Sequence, residues 1–400
     1  MCCDELMIKL PEYVTKAMKA LNNSGYECYV VGGAIRSAVL NMPVHDYDLT
    51  TDALPSQMKT VFHDWHTFDT GIQHGTITVL SDHQPLEITT YRKDCTYQDH
   101  RHPDAVQFTS SIEEDCSRRD FTVNAFCYSE EHGFLDFFHG MEDIKHKVIR
   151  CIGDPYRRFD EDALRILRAI RFASQLNFTI EDKTAEAILE LKDTLSYVSM
   201  ERINEEFTKY ISSSGCAPLF IPYMPVFTVF LPELSTLSEE EKKAVTERLS
   251  FSDSCMPVRM AILLSSSCFD NPRSILKRMK FSNNEIKEIS QLVSFKDKPV
   301  NTLTDVRRLK RDLNVPFEEY IAFKEGMYQC RYTKAREYDK QIEDNNLCCT
   351  LKQLAINGNN LVQLGFRGKD ISDTLNTLLD KVISDELPNN KEVLLSQISS

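Results

Sequence analysis

Tyr29-Val30-Val31-Gly32-Gly33-Ala34-Ile35-Arg36, followed ten residues later by Asp46-Tyr47-Asp48, is the stretch from which the rest of the chain is read. Tyr26 to Val31 is rich in β-branched and aromatic residues and is predicted to be a strand. The glycine pair lets the backbone turn sharply and approach a ligand closely, and Ala34 to Leu40 is predicted to be a helix. A strand, a glycine-rich turn and a helix start make a site for an anion such as a triphosphate. Asp46-Tyr47-Asp48-Leu49-Thr50 is predicted to be the next strand. Side chains at i and i+2 of a strand share a face, so both carboxylates point the same way. Beside a phosphate cradle they suit one or two Mg²⁺ ions. A solvated Asp pair on an edge strand is the alternative, and Gly-Gly-x-x-Arg at this spacing favours the metal.

Composition sets the frame. The chain has 400 residues, 42% apolar and 27% charged, as expected of a soluble globular protein with about two to four compact units. A net charge of -13 argues against unspecific coating of nucleic acid but allows a local basic groove. Met1-Cys2-Cys3-Asp4-Glu5 has neither the positive region nor the apolar core of a secretory signal. No stretch approaches the ~18 apolar residues of a membrane span, so a cytoplasmic location is expected. Thirteen cysteines are then expected to be free thiols, and none forms a CxxC that would signal structural zinc. All ten histidines lie between His45 and His146, which excludes a histidine-dependent metal hydrolase in the C-terminal half.

Further along, residues 5–23 carry Leu6, Leu10, Tyr13, Val14 and Ala17 at helical spacing. Thr76–Leu80 and Leu86–Tyr91 alternate and are predicted to form a hairpin with the five-residue loop Ser81–Pro85. Glu87 is there either a third carboxylate near the metal or a plain surface strand residue. Lys93 to Asp104 is polar and is predicted to be a long functional loop before a strand at Val106–Thr109. Phe134–Phe138 is predicted to be the last strand, before a helix from about Met141. After Arg150 helical spacing takes over to Ser400, giving an α+β chain with an α/β head and an all-α remainder.

A second site is expected on the first long helix. Asp154-Pro155 suits an N-cap with Pro at the first helical position. In Phe159 to Ala173, Asp162, Arg165, Arg168 and Arg171 form one i, i+3 row, and apolar residues fill nearly all the rest. Such a helix is buried, and buried arginines need partners. The row either lines a cleft that receives an anion or forms a salt-bridge ladder with acidic residues of the head.

At these residues the chain resembles the class II tRNA nucleotidyltransferase and poly(A) polymerase family of the polymerase-β superfamily. The matching motifs are Gly32-Gly33-x-x-Arg36, Asp46-x-Asp48, Arg118-Arg119-Asp120-Phe121-Thr122-x-Asn124-Ala125, Glu161-Asp162-x-Leu164-Arg165-x-x-Arg168-Ala169-x-Arg171-Phe172, and Glu201-Arg202-Ile203-x-x-Glu206. Leu364-Gly365-Phe366-x-Gly368 to Leu387-Pro388-Asn389 resembles the C-terminal module of bacterial CCA-adding members without an HD domain.

The resemblance implies a polymerase-β-like nucleotidyltransferase head at 1–150, a helical neck with a nucleobase-reading helix at 151–212, a helical body at 213–300 and a tRNA-binding tail at 301–400. It implies addition or repair of the 3′-terminal CCA of tRNA from CTP and ATP, with Mg²⁺ as cofactor. By position, Asp46 and Asp48 are the catalytic metal ligands. Gly33, Arg36 and Arg119 contact the nucleotide, with Gly32 and Asn124 beside them. Asp162 and Arg165 read the base, and Arg168 and Arg171 support the triphosphate. Where the family usually has Asp after the Arg of the first motif, this chain has Ser37, which still hydrogen-bonds locally.

Rival readings are a poly(A) polymerase, an A-adding enzyme, a CC-adding enzyme, disfavoured because such members lack the full loop at Lys93–Asp104, and a non-catalytic RNA-binding relative, which would be expected to lose Asp46 and Asp48. A dinucleotide-binding oxidoreductase is disfavoured, since Gly32-Gly33-Ala34-Ile35-Arg36 is not GxGxxG. Basic clusters at Arg307, Arg308, Lys310 and Arg311, and at Lys277, Arg278 and Lys280, are candidate tRNA contacts.

Overall fold

The computed structural model describes residues 7–44, 46–94, 106–252 and 255–398. They fall into two compact units, Met1–Ser235 and Thr236–Ser400.

The first unit opens with helix α1 (Glu12–Asn23). It starts later than the apolar spacing suggests because Pro11, which lacks an N–H, takes the N-cap position. Strand β1 (Cys28–Val31), helix α2 (Gly33–Val39) and strand β2 (Asp48–Thr51) follow. Asp46 therefore precedes β2, and the shared-face argument holds only from Asp48 on. After α3 (Pro55–Val61) come β3 (Thr67–Gly71), β4 (Thr76–Ser81) and β5 (Gln84–Thr90). The β4–β5 turn has two residues rather than five. Asp82 and His83 both have positive φ, 46° and 64°, which matches the twist of paired strands. Pro85 enters β5 because β2 pairs only with residues 87–90, so its missing N–H breaks no bond to that strand.

β6 (Arg92–Asp94) pairs with β7 (Val106–Phe108) in a separate ribbon. Most of the predicted 93–104 loop lies outside the described residues, and its first two positions belong to β6. Helix α4 (Ile112–Ser117), a 3₁₀ turn at Thr122–Asn124, β8 (Cys127–Ser129), β9 (Gly133–Leu135) and α5 (Gly140–His146) complete the head. The central sheet has the order β3-β4-β5-β2-β1-β8-β9 and is antiparallel except between β2 and β5. Its core packs Val30, Leu49, Ile77, Val79 and Ile88 against Val14, Met18 and Leu21 of α1.

Strand structure does not end at Arg150. β10 (Val148–Ile149) pairs in parallel with β11 (Thr179–Ile180) across α6 (Pro155–Glu161) and α7 (Leu164–Leu176). The predicted single helix through Asp162 is in fact these two. Asp162 is extended, with φ -145° and ψ 102°, and its Oδ1 accepts the Leu164 N–H at 3.1 Å. A short acceptor at a helix start competes with continuation and restarts the helix after itself. Helices α8 (Asp182–Leu191) and α9 (Met200–Ile211) follow, and α9 packs on α7.

The second unit is helical among the described residues, with capping boxes at Ser238, Ser282, Thr302 and Asn357 starting four of its helices. No helix among the described residues is long and apolar enough to cross a membrane. The ten cysteines described are unbridged.

Candidate active site

Val31 ends β1 opposite Asp48, the first residue of β2. The chain then turns through Gly32 at φ 70° and ψ -129°, a backbone that L side chains rarely adopt. Space forbids a side chain as well, since a Cβ on Gly32 would lie 3.1 Å from Nη1 of Arg119. The Arg119 guanidinium therefore rests directly over the glycine turn.

On the other side of β2, Asp48 is in register with Glu87 of β5. The Asp48 carboxyl is raised above its ordinary value, first by burial, then by Glu87 and Asp46, with Arg119 opposing. Among the described residues no three His, Cys, Asp or Glu side chains converge tightly enough to form a ready metal cage. The donor set nevertheless fits a hard divalent cation. Two carboxylates, with a third in adjacent register, are hard oxygen donors, and a cation beside them would offset the negative charge that helps raise Asp48.

Beyond the glycine turn, Arg36 of α2 and Arg168 and Arg171 of α7 surround one phenyl ring. Their guanidinium carbons lie 4.8, 5.3 and 3.9 Å from the Phe172 centroid. Arg36 is pushed down to about 10, by burial first and then by Arg171 and Arg168. Arg171 is also lowered, chiefly by burial.

Two carboxylates work against this repulsion. Asp120 Oδ2 accepts from Arg168 Nε at 2.8 Å, and its Oδ1 accepts from the Asn124 amide at 3.0 Å. Asn124 Oδ1 in turn accepts from Arg36 Nη1. Burial works to raise the Asp120 carboxyl, but Arg168, Asn124 and Arg165 bring it down to about 2. Glu206 of α9 lies 2.7 Å from Arg171 Nε and 3.7 Å from Arg168 Nη1. The 2.7 Å approach is off the N–H axis, so it is an ion pair and not a hydrogen bond. Three arginines thus face two carboxylates, and Nε of Arg36, Arg119 and Arg171 is buried without a hydrogen-bond partner. A cluster with a surplus positive charge and unfilled donors is built for an anion.

The remaining pair is arranged differently from the sequence expectation. Asp162 lies outside the α7 helix, and its Oδ2 accepts from Arg202 of α9 at 3.2 Å. Arg165 is buried and donates to the Arg118 carbonyl at 3.0 Å and to Glu161 at 3.1 Å. The ladder and the cleft readings of this row therefore coexist. Each arginine of the row has an acidic partner, and the unmatched positive charge beside them is that of Arg36, which donates to the neutral Asn124 amide oxygen.

Several of these partners went unassigned at the level of sequence. Asp120, Phe172, Arg202 and Glu206 lie within the quoted motifs without a role there, and Asp115 had no signal at all. The one available signal was chemical, since buried arginines require buried carboxylates.

In the second unit the basic cluster at 307–311 is mostly structural. Arg307 is buried and donates to the carbonyls of Cys348, Val382 and Ile383 and to Asp385. Lys310 pairs with Asp339, and Arg311 with Asp312 and Asp380. Arg308, Lys277, Arg278 and Lys280 are exposed.

Residues 28–150 match the Poly A polymerase head domain, residues 177–221 the probable RNA and SrmB-binding site of polymerase A, and residues 259–398 the putative tRNA nucleotidyltransferase domain 2. The CCA-adding enzyme of Pediococcus pentosaceus is 35% identical over 397 residues, covering 96% of each chain. The chain belongs to the CCA-adding enzyme family. The enzyme of Streptococcus thermophilus is 34% identical, covering 98% of each chain. The fold agrees along its length with the crystal structure of the Bacillus stearothermophilus CCA-adding enzyme in complex with CTP. The TM-score is 0.81 at 25% identity, covering 98% of each chain. Membership of this family makes the protein a nucleotidyltransferase of tRNA processing.

Proposed function

We propose that the protein builds or repairs the 3′-terminal CCA of tRNA in the cytoplasm, without a template, from CTP and ATP and with release of pyrophosphate. The observation that carries this reading is the arginine cluster around Phe172, one charge short of balance, with Arg36 Nη2 3.7 Å from where a Cβ on Gly33 of the glycine turn would lie. It suits a triphosphate placed between cationic side chains and a carboxylate pair.

In this reading Asp46 and Asp48 would hold Mg²⁺, with Glu87 beside them. The ion, when bound, lowers the pKa of an attacking 3′-hydroxyl and offsets charge on the leaving pyrophosphate. Arg36, Arg168 and Arg171 receive the phosphates, Gly33 lets the backbone approach, and Arg119 and Asn124 bear on phosphate and sugar. Asp162 accepts from the exocyclic amine of cytosine or adenine, while Arg165 donates to the ring nitrogen beside it. A carboxylate oxygen has two lone pairs and a guanidinium five N–H donors, so their present partners leave capacity for a base edge. The head at 1–150 and neck at 151–212 carry this chemistry, and the body at 213–300 and tail at 301–400 hold the tRNA.

The test is purified protein with tRNA lacking its 3′ end, supplied with CTP, ATP or both, and products sized to the nucleotide. Two C additions with CTP and a complete CCA end with both nucleotides are expected. A run of A on unrelated RNA would make it a poly(A) polymerase, and A addition alone an A-adding enzyme.

A further inference from the structure

Asp115 is fully buried on α4, and no role has yet been given to it. A carboxylate tolerates such burial only when strong donors fill its lone pairs. Its donors come from four places in the head. Oδ1 accepts from Arg118 Nε at 3.0 Å and from the Arg92 backbone N–H of β6 at 3.2 Å. Oδ2 accepts from Arg119 Nη2 and from Thr50 Oγ of β2, both at 3.4 Å. Arg118 is the C-cap of α4 and Arg119 follows it, so both reach back to Asp115 from just past the helix end.

We propose that Asp115 is a positioning residue for nucleotide binding, which fixes the Arg119 guanidinium over the glycine turn and against the strand that carries Asp48. Among the described residues this is the ion pair that Arg119 makes, at 3.4 Å. At that length the hold is chiefly Coulombic, and it is strong because the carboxylate is dry. The same guanidinium lies over Gly32 through Nη1, lowers the Asp48 carboxyl, and keeps a buried Nε without a partner. One end of the fork is therefore pinned by Asp115, and the other faces the nucleotide site. Arg118, pinned by the other oxygen, carries the backbone carbonyl to which Arg165 donates. Asp115 thus sets the phosphate side directly and the base side through one further bond.

This inference rests on the nucleotide-site reading given above. It is tested by a double-mutant cycle of Asp115→Asn and Arg119→Ala, measuring kcat and KM for CTP and ATP on tRNA lacking its end, with thermal unfolding of each variant. The amide keeps the shape of the carboxylate but turns one oxygen into a donor and removes the charge. Asp115→Asn is expected to raise nucleotide KM by roughly tenfold, with a smaller change in kcat. In the Arg119→Ala background Asp115→Asn is expected to add only a small further KM increase, the part that acts through Arg118, well below its factor in the wild type. If Asp115→Asn does not fold, Asp115→Glu, which keeps the charge and displaces the oxygens, takes its place in the cycle. A KM increase of equal factor in both backgrounds, or a loss of thermal stability with unchanged KM, overturns the proposal. If Arg119→Ala leaves nucleotide KM unchanged, the nucleotide-site reading fails and this inference with it. If Arg119→Ala raises KM and Asp115→Asn does not, this inference alone fails.

Discussion

The two sides of the candidate active site are built in opposite ways. The acidic side is an open edge, with Asp46 and Asp48 exposed and Glu87 in adjacent register. The Asp48 carboxyl is raised, first by desolvation even though the side chain reaches solvent, and then by the charges of Glu87 and Asp46. The basic side is interlocked. Arg165 and Arg171 are buried, Arg168 is partly so, and each is tied to a carboxylate from another part of the first unit or from the preceding helix. An exposed edge can be altered with little harm to the fold, because few other groups depend on it. A buried ion-pair network cannot, since removing one member strands another. Substitutions should therefore separate activity from stability on the acidic side and couple them on the basic side.

The largest effect is expected at the acidic edge. Asp46→Ala or Asp48→Ala should reduce both C and A addition by roughly 10³-fold or more while leaving thermal unfolding nearly unchanged. Nucleotide incorporation at fixed Mg²⁺, with circular dichroism melting beside it, reads both. Normal turnover would remove the metal assignment. A melting loss as large as that of a network variant would remove the contrast between the two sides.

Base selection should come next. Cytosine and adenine both offer an amine beside an acceptor nitrogen, whereas uracil and guanine reverse the order. Mismatched buried polar groups reject a substrate by roughly 10⁴-fold. Asp162→Ala should lower use of CTP and ATP and raise relative misincorporation of UTP or GTP, measured by competition among the four nucleotides. It also frees Arg202, so a modest loss of stability is expected with it. Full retention of discrimination would leave Asp162 as a helix start and salt-bridge partner only.

What could be read in the chain differs along the same line. The β1–glycine–α2 unit is local, so turn chemistry and β propensity were enough to locate it, and the apolar alternation of Ile77 and Val79 placed β4. The break at Asp162 was missed because helical spacing counts apolar positions and takes no account of an acceptor competing for the Leu164 N–H. Pro85 suggested a longer hairpin loop, because its place on β5 depends on where β2 ends. Asp115 and Glu206 had no visible role, since their importance lies entirely in partners brought by folding. Within the 307–311 cluster, the burial of Arg307 is invisible in the sequence for the same reason. Its charge is spent on carbonyls about 40 and 75 residues away.

Glu206→Gln sharpens the contrast from the basic side. The Glu206 and Arg171 side chains are 6% and 10% exposed, so the variant leaves a buried guanidinium without its charge partner. Removing one member of such a pair costs about 3 kcal/mol, visible as a lower denaturation midpoint. A triphosphate supplies the missing negative charge in the proposed reading, so saturating CTP should restore more stability to this variant than it adds to the wild type. An equal increment in both would place the nucleotide away from Arg171.

The smallest expected effect is in acid, at Asp120. Its folded carboxyl sits at about 2, below the ordinary 3.8. A depressed carboxylate contributes stability that is fully present above the unfolded value and is lost as pH falls through the folded one. The window therefore runs from about pH 4 down to about pH 2. A tenfold change in proton affinity corresponds to about 1.4 kcal/mol, so the whole is on the order of 2 kcal/mol, reduced by whatever residual structure the unfolded chain keeps. Asp120→Asn removes the titration while keeping an acceptor for Arg168. The stability difference between wild type and Asp120→Asn, followed by urea unfolding, should stay level near neutrality and shrink as pH drops through this window. No comparable acid loss is expected for Asp48, whose carboxyl is raised and whose ionised form the fold disfavours. An Asp120→Asn difference that holds constant to pH 2 would mean that Arg168 is held by packing on Phe172 and not by the Asp120 charge. The basic side would then be an aromatic stack with incidental ion pairs.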